Sequence, residues 1–249
     1  MPAPRSKLFA LSLIACAACA QAAPSYVALG SPMPRFSLLK EGSHRYLRYV
    51  KDGETNTPMD IWQRTVKFDG QRVAIHQRWD GVGKPAPVKI LDSTFDRGTF
   101  RPLQHVRITE RDGKRTVEGF NFAPERITGQ KDLADNAQKD LDMASPEGTF
   151  NFETDIEMLQ TLPLEAGYEA AINFYHPGGL SAPARYTFKV MGSETISGPS
   201  GAVDCWVVTT DYNRAGYESK FWFAKATQQM VRQISPMLDG KVLVKTLID

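Results

Sequence analysis

Four histidines, His44, His76, His105 and His176, could act as metal ligands or general bases, since imidazole titrates near neutrality. No two stand at His-x-His or His-Glu-x-x-His spacing, so a zinc site would have to be assembled by the fold alone. His76 and His105 fall in alternating runs beside arginines and read as partly exposed strand positions. His176-Pro177-Gly178-Gly179 has the composition of a glycine-rich oxyanion loop. The Gly-x-Ser-x-Gly elbow that would carry its nucleophile is absent, and a turn leaving a strand accounts for the run. The acidic stretch with Asp132, Asp135, Asp140 and Asp142 lacks the spacing and the bidentate glutamate of a calcium loop, so it reads as a solvated face. Asp69, Asp80, Asp112 and Asp239 each precede a glycine and serve turns. Cys205, within Asp204-Cys205-Trp206-Val207-Val208, reads as a buried, inert thiol, because activation needs a nearby cation or helix N-terminus. Glycine loops of the Walker or dinucleotide type are also absent. The residues therefore predict no catalytic set, no metal and no cofactor. The alternative is a hydrolase assembled from scattered polar residues such as His76, His105 and nearby acids.

Aromatic side chains are the other resource. Trp62, Trp79, Phe120, Phe122, Phe174, Tyr186, Phe188, Trp206 and Trp222 all fall in strand-like runs. In a closed sandwich they fill a core; in a curved, incompletely closed barrel they line a cavity for an apolar or lipid-like ligand. These nine are the candidate cavity lining. The formal charge of +2, from 30 Lys and Arg against 28 Asp and Glu, offers no concentrated basic face, so nucleic acid is not an expected partner. An envelope protein-interaction module acting through a strand edge or aromatic patch is a further alternative, its protein partner unspecified.

The elements that must position these residues begin with an export address. Arg5 and Lys7 precede an apolar run from Leu8 to about Ala18, ending in Ala20-Gln21-Ala22, which predicts a signal peptide over 1–22. Leu13-Ile14-Ala15-Cys16 supports an alternative, a lipoprotein anchored through Cys16. Cleavage after Ala22 removes both excess positive charges and two of the three cysteines. The mature chain is then neutral, with Cys205 its one thiol, no internal disulfide and no stretch long and apolar enough to cross a bilayer. A periplasmic location is expected. Residues 23–43, with Pro24, Pro32 and Pro34, read as a leader or linker.

From residue 44 to 249 the pattern is short alternating runs punctuated by Asp-Gly at 52–53, 69–70, 80–81, 112–113 and 239–240. Asp-Gly between alternating apolar residues is a strong hairpin signal, because both turn positions take positive φ. Trp62, Val66 and Phe68 lead into the 69–70 turn, and Val73, Ile75 and Trp79 leave it. Thr154-Asp155-Ile156-Glu157 reads as a capping box, with Leu159 and Leu162 at helical spacing and Pro163 as the stop. Residues 129–148 read as a long polar loop between strand groups at 44–128 and 168–249, which are expected to form one continuous sheet. The predicted architecture is mainly β: a single large antiparallel, strongly curved sheet or incompletely closed barrel, with one short helix packed on it.

Several runs carry a family likeness. They are Arg185-Tyr186-Thr187-Phe188-Lys189-Val190-Met191-Gly192, Gly198-Pro199-Ser200-Gly201, Asp204-Cys205-Trp206-Val207-Val208, Phe221-Trp222-Phe223 and Met230-Val231-Arg232. Phe150-Asn151-Phe152-Glu153 and Leu162-Pro163-Leu164 add a subgroup signature. Together they resemble a family of bacterial exported β-rich proteins catalogued as a domain of unknown function. The resemblance implies an envelope location and an antiparallel β architecture, and carries over no catalytic residue. More remotely, a curved sheet with a helix on its concave side is similar to the periplasmic lipoprotein carriers, which hold acyl chains; that is a likeness of fold.

Overall fold

Period-two alternation becomes strand along most of the chain. The computed structural model describes residues 23–84 and 86–249, so the signal peptide expected over 1–22, with Cys16, lies outside the described residues. The strands are β1 (Ser25–Tyr26), β2 (Gly42–Asp52), β3 (Thr55–Asp69), β4 (Arg72–Gly81), β5 (Val88–Asp96), β6 (Pro102–Arg111), β7 (Lys114–Ala123), β8 (Arg126–Gly129), β9 (Asp142–Ala144), β10 (Phe150–Asn151), β11 (Glu169–Tyr175), β12 (Ala184–Gly198), β13 (Gly201–Thr210), β14 (Ser219–Ala224), β15 (Met230–Pro236) and β16 (Val242–Leu247). A 3-10 turn over Phe152–Thr154 runs into the one α-helix among the described residues, α1 (Asp155–Gln160).

One sheet takes in all sixteen strands, in the order β1-β11-β12-β13-β14-β15-β16-β2-β3-β4-β5-β6-β7-β8-β9, with β10 also on β11. Among the named strands of the described residues only β1 and β10 pair in parallel, both with β11. The last strand, β16, pairs with β2 through Val244↔Tyr49 and Leu247↔Tyr46, so the two strand groups form one continuous sheet. Register slips at Arg48/Tyr49, Thr94/Phe95, Val190/Gly192 and Trp222/Phe223 mark irregularities of bulge type. Each adds twist, which curls the sheet into an open barrel. The Asp69-Gly70 hairpin has the expected register, Phe68↔Val73, Val66↔Ile75 and Trp62↔Trp79. Asp112 and Gly113 take φ of 52° and 73° at the β6–β7 turn. Asp80-Gly81 departs from expectation: both residues are still paired in β4, and Gly81 N–H donates to Pro87 O, because a longer loop makes this connection.

The curl closes around α1, all six of whose residues are buried. Ile156, Met158, Leu159 and Leu162 join Phe95, Phe150, Phe174, Phe188, Phe221 and Phe223 in the main core. The expected capping box does not form. Thr154 Oγ1 donates to Asn151 O, Asn151 Oδ1 caps the preceding 3-10 turn at Glu153 N, and Glu157 turns away to Arg64. A buried guanidinium offers a carboxylate more than an N–H that water or a neighbour can satisfy. Residues 23–43 are integral to the fold: β1 pairs with β11, and Met33 and Leu39 belong to the main core. The 129–148 segment is pinned through Asn136, whose buried amide bonds both Gly119 N and Gly119 O.

Candidate ligand-binding site

Positions facing one another across antiparallel strands share a face, so register sets the interior. Tyr46, Trp62 and Trp79 lie in one cross-strand row, and Arg64 and Gln77 in the next. The Arg64 guanidinium, 2% exposed, is held by Glu157 from α1, with Nε 2.5 Å from Oε1 and NH2 on Oε2. NH1 donates to Gln77 Oε1 at 2.8 Å, which also accepts from Trp62 Nε1 at 3.1 Å. Buried polar groups in this layer are thus bonded in a network that anchors the helix to β3 and β4.

Beside this network lies a cavity of about 660 Å³. It forms where the wall loses a strand. The pairing of β15 with β16 begins at Arg232↔Thr246, and ahead of it the Tyr46 hydroxyl reaches across to donate to Met230 O at 3.0 Å. Leu39, Val66, Val203, Val231 and Leu247 give it aliphatic lining, and Lys40, Glu41, His44, Tyr46, Arg64 and Glu157 are among its polar and charged lining. Gln160 Nε2 donates to Leu38 O at 3.3 Å and Thr227 O at 3.1 Å, tying both sides of the opening to the helix. Gln228 Nε2 donates to Gln160 O and Leu162 O, each at 2.7 Å. The volume falls in the range of small-molecule sites, and a surface that is mainly apolar, although half of the lining residues are polar or charged, Lys40, Glu41 and His44 among them, suits an apolar chain with a polar head.

The nine aromatics chosen from sequence separate. Trp62, Trp79 and Tyr186 line a different cavity of about 510 Å³. Phe174 and Phe188 are buried in the main core, and Trp206 packs against it. Phe120 and Phe122 form a small core with Ile127 and Tyr175. Trp222 packs with Cys205, Val207 and Val231 in a third cluster, its Nε1 donating to Glu194 Oε2 at 2.9 Å. Cys205 is fully buried, as expected, and burial pushes its thiol up to about 11. The aliphatic residues of the 660 Å³ cavity went unrecognised in the sequence. They come from a segment read as leader, from a hairpin tip and from strand ends; the nearest signal is alternation that places Val66 on the face of Trp62.

The histidines do not converge. His76 is exposed, its Nδ1 2.7 Å from Asp92 Oδ1, while His176 lies against Phe152 and its Nε2 is 3.2 Å from Tyr186 Oη. Among the described residues no group of three His, Cys, Asp or Glu could hold a metal ion. His105 departs from the expected partial exposure. It is fully buried, Nδ1 is 2.8 Å from Ser93 Oγ, Nε2 has no partner, and burial pushes its pKa from 6.5 down to about 4. The unfolded chain therefore binds the proton first. The neutral state's contribution is complete above about pH 6.5 and is lost as pH falls through 4, an effect of order 3 kcal/mol. Asp155, pushed by burial up to about 6, acts with the opposite sign below that pH. His105→Gln is expected to flatten the fall in urea-unfolding free energy between pH 7 and pH 4; an unchanged slope contradicts a buried neutral imidazole.

An open, strongly curved sheet wrapped around a short helix defines a β-barrel-like protein. The chain belongs to the family described as Protein of unknown function (DUF3108), which it matches over residues 45–246. Among solved structures it is similar to a β-barrel-like protein of the domain of unknown function DUF1849 from Brucella abortus, with a TM-score of 0.53 at 10% identity over 85% of this chain and 98% of that one. That likeness is one of fold. No curated protein matches. Among the described residues no helix is long and apolar enough to cross a membrane.

Proposed function

We propose that this is an exported cell-envelope protein that binds an apolar or lipid-like ligand without chemically transforming it. The observation that carries the reading is the 660 Å³ cavity, whose surface is mainly apolar with polar and charged residues among its lining. The His76–Asp92 pair, 2.7 Å apart, has no catalytic role in this reading, because both side chains are about half exposed to water. The signal-peptide pattern over 1–22 supports periplasmic export, and mass spectrometry of the mature N-terminus distinguishes cleavage after Ala22 from lipidation at Cys16.

Titration with a neutral apolar fluorophore, N-phenyl-1-naphthylamine, tests the ligand reading. Saturable binding at one site is expected. Val203→Trp and Ala226→Trp, which place an indole in the opening, are each expected to weaken it about tenfold or more. Non-saturable partitioning, or affinity unchanged in both variants, overturns the reading.

A further inference from the structure

A second groove shares no lining residue with the 660 Å³ cavity. It consists of two cavities, of about 770 and 510 Å³, that meet at Trp79. Register gathers cations there. Lys245 faces Arg48 across β16 and β2, Trp62 faces Trp79 across β3 and β4, and Trp79 faces Lys89 across β4 and β5. Arg48 and Lys89 both lie over the Trp79 ring, at 4.0 and 4.3 Å from its centroid, and Lys245 lies 4.8 Å from that of Trp62. The cations are thus held at the wall by indole faces.

Counter-charge inside the groove is incomplete. The lining carries seven Lys and Arg side chains against four carboxylates, Asp60, Asp112, Glu153 and Asp155. Glu118 holds Arg107 from behind at 2.7 Å, and Glu153 serves both Lys89 and Arg107, each at 3.6 Å. Lys245 and Arg214 form no ion pair among the described residues. Arg48, 7% exposed, has no hydrogen-bond partner for Nε; Asp60 Oδ1 is 3.3 Å away but misaligned and is itself unpartnered. Burial pulls the Lys245 and Lys89 pKa values down; Asp155 and Glu153 respectively work against it, and Arg48 adds to both downward shifts. The His176-Pro177-Gly178-Gly179 turn braces the wall: Pro177 O accepts from Arg107 NH1 at 2.9 Å, and a Cβ on Gly178 would strike that guanidinium.

We infer that this groove is a second binding site, for a phosphate-class anionic group seated among Arg48, Lys89 and Lys245 over the Trp62–Trp79 pair. An anion there offsets the crowded positive charge of Arg48, Lys89 and Lys245. The inference stands apart from the apolar-ligand reading, because the two cavities have separate walls.

Isothermal titration calorimetry on the full mature chain, with inorganic phosphate and with dodecyl phosphate below its micellar concentration, tests it. Saturable binding of at least one is expected, weakened about tenfold or more by Lys245→Met and by Lys89→Gln. Binding of N-phenyl-1-naphthylamine by the same variants serves as the check on folding, alongside near-ultraviolet circular dichroism. Binding of both phosphates with similar affinity assigns the site to a free anion; binding of dodecyl phosphate alone assigns it to a lipid headgroup. Each supports the inference. No saturable binding of either, or binding unchanged in both folded variants, overturns it. Loss of the neutral fluorophore alone affects only the 660 Å³ cavity.

Discussion

Glu157→Ala is expected to destabilise the protein by about 3–5 kcal/mol, because it strands a buried guanidinium. Arg64 is 2% exposed, and Glu157 takes both Nε and NH2; the remaining partners of that group, Gln77 Oε1 and Glu153 O, are neutral. Alanine removes the one formal counter-charge directly bonded to Arg64 and loosens α1 from β3. The double replacement Arg64→Met with Glu157→Leu is expected to recover most of the loss, since a buried pair can be exchanged for apolar groups of similar volume at little net cost. Urea unfolding of the two single variants and the double variant measures both. A loss below about 1 kcal/mol for Glu157→Ala means that water reaches Arg64 through the cavity it lines, and the pair is then no anchor.

Phe174→Ala is expected to cost about 3–5 kcal/mol, the range for deleting a packed phenyl from a core. Phe174 is fully buried, and its ring centroid lies 6.3 Å from that of Phe150, 5.7 Å from Phe152 and 6.1 Å from Phe188. It touches the strand group, β10 and the 3-10 turn together, so truncation opens space that three elements would have to fill. A residue lining an empty cavity leaves no such void, and its truncation costs little. Thermal unfolding therefore separates core from cavity lining: a loss under about 1 kcal/mol places Phe174 on an open wall.

Much of the fold was legible because it is local. Alternation in Trp62, Val66 and Phe68 answered by Val73, Ile75 and Trp79 defines both strands and, with Asp69-Gly70 between them, their register. Asp80-Gly81 shows the limit, since the dipeptide reports a tendency to turn and the longer loop to Pro87 makes the connection. Thr154-Asp155-Ile156-Glu157 shows another. The spacing of a capping box is present, yet Glu157 serves Arg64, distant by 93 residues in sequence. A local motif offers one use for a carboxylate, and a buried guanidinium offers a stronger one.

By itself the sequence determined a mainly β chain with short hairpins and a short helix before Pro163. Each of these follows from neighbours within a few positions. Tertiary structure alone decided which aromatics are core and which face open space. Alternation states that Trp62 and Val66 share a face, while Trp62 borders the cationic groove and Val66 the apolar cavity. It also decided where the cavities lie, since one opens where β16 ends and the other where three cations meet over two indoles. The physical reason is that strand period reports the face a side chain occupies, whereas what covers that face depends on sheet curl and on partners far away along the chain.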